Sequence, residues 1–361
     1  MISCRKCGLA FPISRFPYRC PSCQGLFSYN HGLDFRLADA DSKLPGIWRF
    51  KSGLSLPEGA PILTLGEGNT PLVWAESFGK QVAYKLESLN PTGSFKDRGT
   101  AVLVSWLVAA GIDEAVEDSS GNAGSSFAAY ASKAGIRGKV FIPEHASGPK
   151  RTQIESYGSQ VVPIPGPRSE AALAVLEEVA KGSVYASHAY LPHGTAGIAT
   201  IAYELLEDLG EPPGTILVPV GHGSLLLGIW LGFQALLKSG DISRQPRLVG
   251  IQAAACDPLY RAFHAGGDTP LQVPEGRTLA EGVAIADPFH GESVLKAVRS
   301  SLGTFLHGEE NHIQQGQRAL AGLGIYAELT SSLVWDGLRQ LPPDMPGPLV
   351  CIITGHGLKS A

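Results

Sequence analysis

The sequence predicts an α/β protein built on parallel sheets, preceded by a small metal-binding module. Three observations carry this. Short apolar runs alternate with amphipathic stretches along most of the chain, the pattern of strands buried on both faces by helices. Two Cys-x2-Cys pairs lie close together at the N-terminus. The length of 361 residues allows two ordinary domains.

The alternation is read element by element. Lys139–Pro143, Gln160–Ile164, Thr215–Val220, Arg247–Gln252 and Leu349–Ile353 are expected strands. Thr100–Ala109, Arg151–Tyr157, Glu170–Lys181 and Leu226–Leu237 are expected helices, the third with Ala171, Leu173, Ala174, Leu176 and Val179 at helical spacing. Residues 31–60, rich in Pro, Gly and mixed charge, read as a linker and entry arm. Glycine, at 44 residues, is above the usual share and points to tight turns and close backbone approach to a ligand.

Residues 1–30 stand apart. Cys4-x2-Cys7 and Cys20-x2-Cys23 are separated by twelve residues, a spacing that places four thiolates around a tetrahedral Zn²⁺, or iron. Four protein ligands leave no open position for chemistry, so the site is structural. Paired disulfides are the plainer alternative, disfavoured in a reducing compartment. Arg5, Lys6, Arg15 and Arg19 in this segment read as a solvated basic face before a nucleic-acid contact. Cys256 and Cys351, each in an apolar run, read as packing residues.

The net charge of −4 argues against a general nucleic-acid surface. No run reaches the roughly 20 apolar residues of a membrane span, and Met1–Arg5 has no apolar signal core. A cytoplasmic enzyme is the expectation.

The segment Asn90-Pro91-Thr92-Gly93-Ser94-Phe95-Lys96-Asp97-Arg98-Gly99 sets one lysine on a turn before an apolar helical run. A helix N-terminus disfavours the protonated amine, as a Schiff-base lysine requires. A surface lysine paired with Asp97 is the plain alternative. Ser119-Ser120-Gly121-Asn122-Ala123-Gly124 precedes an Ala-rich helix and reads as an anion-binding helix start or as an ordinary N-cap. Gly221-His222-Gly223-Ser224-Leu225 follows a strand and opens a long apolar helix, so its amides can cup a phosphate, though a tight turn explains it equally. Thr354-Gly355-His356-Gly357 follows the last strand.

Together with Gly66-Glu67-Gly68-Asn69-Thr70-Pro71-Leu72, these motifs resemble the fold type II pyridoxal-phosphate (PLP) enzymes of the tryptophan synthase beta-like superfamily, above all threonine synthases. The resemblance covers residues 60–361. It implies a two-lobed fold, with a small domain of 90–195, a large PLP-binding domain of 31–89 and 196–361, and a zinc ribbon of 1–30. It implies that Lys96 carries PLP and serves as catalytic base, that Asn122 meets the cofactor's phenolic oxygen, and that Gly221, His222, Gly223, Ser224 and Leu225 hold its phosphate. Thr354 would meet the pyridine nitrogen. Ser119, Ser120, Gly121 and Ala123 would hold the substrate carboxylate, with Lys150 and Ser187 also facing substrate. Glu281-Gly282 and Glu328–Ser332 are partial matches. A homodimer is implied, with a small amino-acid substrate.

The resemblance further implies a lyase converting O-phosphohomoserine and water to threonine and phosphate. Here the family's phosphate-binding Asn and Arg are missing: the stretch reads Ala186-Ser187-His188-Ala189-Tyr190-Leu191-Pro192-His193. Either His188, His193 or Lys150 replaces the guanidinium, or the substrate differs, as in a serine/threonine dehydratase or a cysteate-synthase-like enzyme. A zinc-ribbon binding protein on a catalytically dead PLP fold is the reading from a different class.

Overall fold

The computed structural model describes residues 1–13, 15–274 and 276–359. The chain divides into two compact units, one of Met1–Gly68 with Asn90–Ile198, the other of Asn69–Leu89 with residues 199–359.

The first unit holds the cysteine module and a four-stranded parallel sheet. In the module, Ser3–Cys4 pairs antiparallel with Phe27–Ser28. The sheet runs in the order Gln160–Ile164, Arg137–Pro143, Glu114–Glu117, Val184–Tyr185. The helices Asn122–Ala134, Pro149–Ser156 and Arg168–Ala180 connect or flank its strands. Parallel neighbours need such crossovers. Val116, Phe141, Val175 and Tyr185 form a buried cluster on one face of this sheet, with Tyr18 of the cysteine module packed against it.

The arm of residues 31–68, expected with the large domain, belongs to the first unit. The physical reason is Glu67, fully buried: its carboxylate accepts hydrogen bonds from Trp48 Nε1 at 2.7 Å, the Leu65 amide at 2.9 Å and the Tyr130 hydroxyl at 2.6 Å. Tyr130 lies in the helix Asn122–Ala134, so one carboxylate ties the arm to the sheet-covering layer.

The second unit is built on six strands in the order Thr304–Gly308, Arg247–Ala253, Thr215–Pro219, Leu349–Ile352, Lys80–Lys85, Leu72–Ser77. All neighbours are parallel except the last pair, an antiparallel hairpin at the edge. Thr215–Pro219 and Leu349–Ile352 are buried at every residue, as strands covered on both faces must be. Their core includes Val82, Leu217, Val249, Ile251, Leu333 and Ile353. The two lobes on parallel sheets and the N-terminal cysteine module are as expected from the sequence. Cys256 and Cys351 are buried and outside any disulfide, and burial pushes the Cys351 thiol well up. No helix among the described residues is long and apolar enough to cross a membrane.

Candidate active site and metal centre

The expected site residues fall into two groups, one in each unit. In the first unit, Lys96 is the first residue of the helix Lys96–Ala109, half-buried, with Nζ 5.0 Å from the centre of the Phe95 ring. The turn before it closes through the Gly93 amide to the Asn90 carbonyl at 2.8 Å. Asp97 is not the surface partner that a solvent-exposed lysine would use. Its carboxylate is fully buried and accepts from the Thr92 amide at 2.7 Å, the Thr92 hydroxyl at 2.6 Å and the Ser126 hydroxyl at 2.6 Å. This triple anchor fixes the turn and ties it to the helix Asn122–Ala134.

The lysine helix also lies close against the start of the helix His193–Leu209. A methyl group added at Gly197 would sit 2.0 Å from the Arg98 carbonyl oxygen, and one at Gly194 2.9 Å from that of Gly99. Only glycine permits this approach, which explains three glycines that sequence reading alone leaves without a role.

Ser119–Gly121 turns into the helix Asn122–Ala134. The Ser119 hydroxyl accepts from the Gly121 amide at 3.2 Å, and Ser125 donates to the carbonyls of Gly121 at 3.2 Å and Lys150 at 3.3 Å. Ser120, Gly121 and Asn122 are half-buried and Ala123 is buried. Lys150 thus sits beside the loop through its backbone, in the helix Pro149–Ser156. Ser187 is buried and accepts from the Ala189 amide at 3.3 Å.

The candidates to replace the missing guanidinium separate clearly. His193 does not serve: it is fully buried in an aromatic box, with ring centres 4.6 Å from Phe11, 4.7 Å from Phe16 and 4.8 Å from Trp106. Burial pushes its imidazole down to about 3, so it is uncharged at neutral pH. His188 is half-buried, its Nδ1 3.2 Å from Glu117 Oε1. Glu117 and its neighbour Asp118 are two acidic groups that sequence reading passes over. The cue is visible: two consecutive carboxylates follow Ala115-Val116, just before the Ser119 loop.

In the second unit, the strand Thr215–Pro219 leads through Val220–Gly223 into the helix Ser224–Ser239. Gly223 has φ +97, and a Cβ there would lie 2.2 Å from Val294 Cγ2. A Cβ on Gly221 would lie 2.8 Å from the Gly282 carbonyl oxygen. At both glycines the loop therefore presents bare backbone at the head of a 16-residue helix, the arrangement that receives a phosphate. His222 stacks on Phe289, ring centres 4.5 Å apart and 23° from parallel. Ser224 is half-buried and Leu225 buried.

Thr354 is buried and joined to the run Glu328–Ser332. Its hydroxyl lies 2.8 Å from Ser331 Oγ and donates to Glu328 Oε1 at 3.1 Å, while the Gly355 amide donates to Ser331 Oγ at 3.0 Å. A carboxylate thus stands directly behind the threonine that is expected to meet a ring nitrogen.

The four cysteine sulfurs of the N-terminal module lie within 4.8 Å of one another, with Cys4–Cys23 at 3.4 Å and Cys7–Cys20 at 3.6 Å. A tetrahedron with Zn–S bonds of about 2.3 Å has sulfurs ~3.8 Å apart. The separations exceed the roughly 2.05 Å of a disulfide, so the donor set fits a thiolate-bound ion.

The comparisons agree with this geometry. A family model described as pyridoxal-phosphate dependent enzyme matches residues 63–355. The chain is 32% identical to a threonine synthase of Methanocaldococcus jannaschii, over 99% of this chain and 92% of that protein. It is likewise 32% identical to a threonine synthase of Synechocystis sp., over 86% and 82%. Among solved structures, a threonine deaminase from T.th. superposes with TM-score 0.64 at 27% identity, covering 80% of this chain and 92% of that one. A maize serine racemase at 21% identity shares the fold, with TM-score 0.69 over 80% and 88%. With a matched segment that spans the lysine turn, the glycine loop and Thr354, the chain belongs to the pyridoxal-phosphate dependent enzymes.

Proposed function

We propose that this chain is a threonine-synthase-like lyase, with Lys96 as the residue that holds PLP and moves protons at the substrate. The reading is carried by one observation: a single lysine at the head of a buried helix, its turn anchored by Asp97, in a chain of PLP-family fold. Relatives named threonine synthase support threonine as the product, and the family resemblance supplies O-phosphohomoserine and water as the proposed substrates, with phosphate released.

PLP, when bound, stabilises negative charge at the substrate Cα. The protein's own residues do the rest. The Gly221–Leu225 loop and its helix dipole would hold the cofactor phosphate. Thr354, having donated its hydrogen to Glu328, offers lone pairs and would act as acceptor toward a ring N–H. The Ser119–Ala123 loop would hold the substrate carboxylate on backbone amides, and Asn122 the cofactor's phenolic oxygen. Lys96, as a free amine, would remove the Cα proton as general base. With the Cβ proton also removed and the Cγ–O bond to phosphate broken, one of the two protons would return to Cγ and the other leave with phosphate, while water would supply OH to Cβ and H to Cα.

A second reading, elimination from serine or threonine, is favoured by the acidic side chains Glu117 and Asp118 at the end of the strand Glu114–Glu117 and by the want of an arginine from Ala186 to His193. Assay of phosphate and threonine formed from O-phosphohomoserine, beside keto acid formed from serine and threonine, tests the two. Phosphate and threonine in equal amounts is the expected result. Keto acid alone would replace the first reading by the second.

The cysteine module is proposed to hold a structural zinc ion through Cys4, Cys7, Cys20 and Cys23. A homodimer in the cytoplasm, as the family resemblance implies, is part of the same proposal.

A further inference from the structure

Two neighbouring parallel strands of the first unit end side by side. Ala115 and Val116 pair with Val184 and Tyr185, and the Ala186 amide donates to the Val116 carbonyl at 2.9 Å. The residues that follow are Glu117, Asp118 and Ser119 on one chain segment, and Ser187 and His188 on the other. The loop assigned to the substrate carboxylate and the segment assigned to its side chain therefore start from adjacent strand ends.

The polar groups gathered there are mostly acceptors. Glu117 is 1% exposed. Its Oε1 meets His188 Nδ1 at 3.2 Å, but its Oε2 is buried with no hydrogen-bond partner among the described residues. Asp118 accepts from the Tyr185 hydroxyl at 2.7 Å. A buried carboxylate oxygen without a donor is unfavourable, so Oε2 calls for either a proton or a ligand's hydrogen-bond donor. The charges facing this pair are the carboxylate of Asp118 and the cations Lys96 and Arg168, of which Arg168 is exposed. A phosphate dianion entering beside Glu117 would meet two carboxylates and an imidazole that burial keeps neutral.

We propose that Glu117, held by His188, decides between a free alcohol and its phosphate ester: as a carboxylate it accepts from a substrate hydroxyl and repels phosphate, and only as the neutral acid does it admit the ester. This rests on the reading that the Ser119–Ala123 loop holds an amino-acid substrate. Burial raises the Glu117 carboxyl to about 7, against a backbone hydrogen bond at Asp118 and the charges of Lys96 and Arg168. Asp118 is raised too, by burial first and then by Glu117. The sign follows: below about pH 7 Glu117 is neutral and the ester is tolerated, and above it the alcohol is preferred.

The test uses PLP-loaded enzyme and reads the cofactor absorbance as homoserine or O-phosphohomoserine is added. From about pH 6 to about pH 8.5, the affinity for the ester relative to the alcohol should fall at least ~10-fold in the wild type. It should change far less in Glu117→Gln, whose amide cannot ionise. The ester's own ionisation near pH ~6 affects both proteins alike, so the difference isolates Glu117. Should the variant fail to hold cofactor, calorimetry of the wild type near pH ~7.5 in two buffers decides: the ester should take up about one proton more on binding than the alcohol does. Equal pH dependence in the two proteins, or equal proton uptake by ester and alcohol, overturns this proposal alone. A cofactor band that responds to neither amino acid overturns the substrate reading with it.

Discussion

The two groups of candidate residues are built from different materials. In the first unit the chemistry sits on side chains: Lys96, Glu117, Ser119, Ser187 and His188, fixed by hydrogen bonds such as those from Thr92 and Ser126 to Asp97. In the second unit the glycine loop offers backbone, at Gly221 and Gly223, where any side chain would strike Gly282 or Val294, apart from the side-chain group of Thr354, Ser331 and Glu328. The amides of such a loop do not titrate. The loop suits an anionic handle that every substrate turnover leaves unchanged. A surface made of titratable side chains suits proton movement and selection among substrates. Changes in the first unit should therefore alter rate, specificity and pH dependence, and changes in the second should alter how tightly the cofactor is held.

The largest effect is expected at Lys96. Lys96→Ala should lower turnover by at least about 1,000-fold and abolish the visible cofactor band that a lysine-bound aldehyde gives, measured by steady-state assay and absorbance. Retained turnover would erase the contrast between the two groups. Next comes Gly223→Ala, which adds a Cβ 2.2 Å from Val294 at φ +97. Cofactor affinity should fall roughly 10- to 100-fold by equilibrium titration, with the rate of the saturated enzyme changed much less. Cys20→Ser removes one of four clustered thiolates. It should release bound metal and lower the melting temperature by roughly 5–10 °C, since Phe11 and Phe16 of that module pack on His193.

The smallest effect concerns His193, whose folded-state value of about 3 lies below the roughly 6.5 of an unfolded chain. The unfolded state then binds more protons between those values, so the stability of the neutral buried ring is complete above about pH 6.5 and declines as pH falls toward 3. At pH ~5 the loss is about 2 kcal/mol. His193→Phe, which keeps an aromatic ring in the box, should flatten the acid limb of a melting-temperature profile. A profile identical to wild type would remove His193 as its cause.

Much of this is legible in the sequence, for physical reasons. Parallel strands buried on both faces are written as apolar runs, so Gln160–Ile164 can be read to the residue and Thr215–Val220 to within one. The lysine turn and the glycine loop are local features, and local features leave local patterns. What stays hidden depends on chain segments distant in sequence. The pairing of Glu117 with His188 spans 71 residues and follows from the register of two short strands. The contact of Thr354 with Glu328 needs the fold to bring 26 residues back together. The arm of 31–68 is misplaced by sequence reading because Glu67 looks like part of a motif, while its role is to be a buried acceptor for Trp48 and Tyr130. His193 reads as a spare cation because nothing in its own neighbourhood announces Phe11 and Phe16.

The most direct test of the central claim is borohydride reduction of the PLP-loaded protein followed by peptide mapping. The account predicts one stable pyridoxyl label, on Lys96. A label on any other side chain, or none at all, would contradict it.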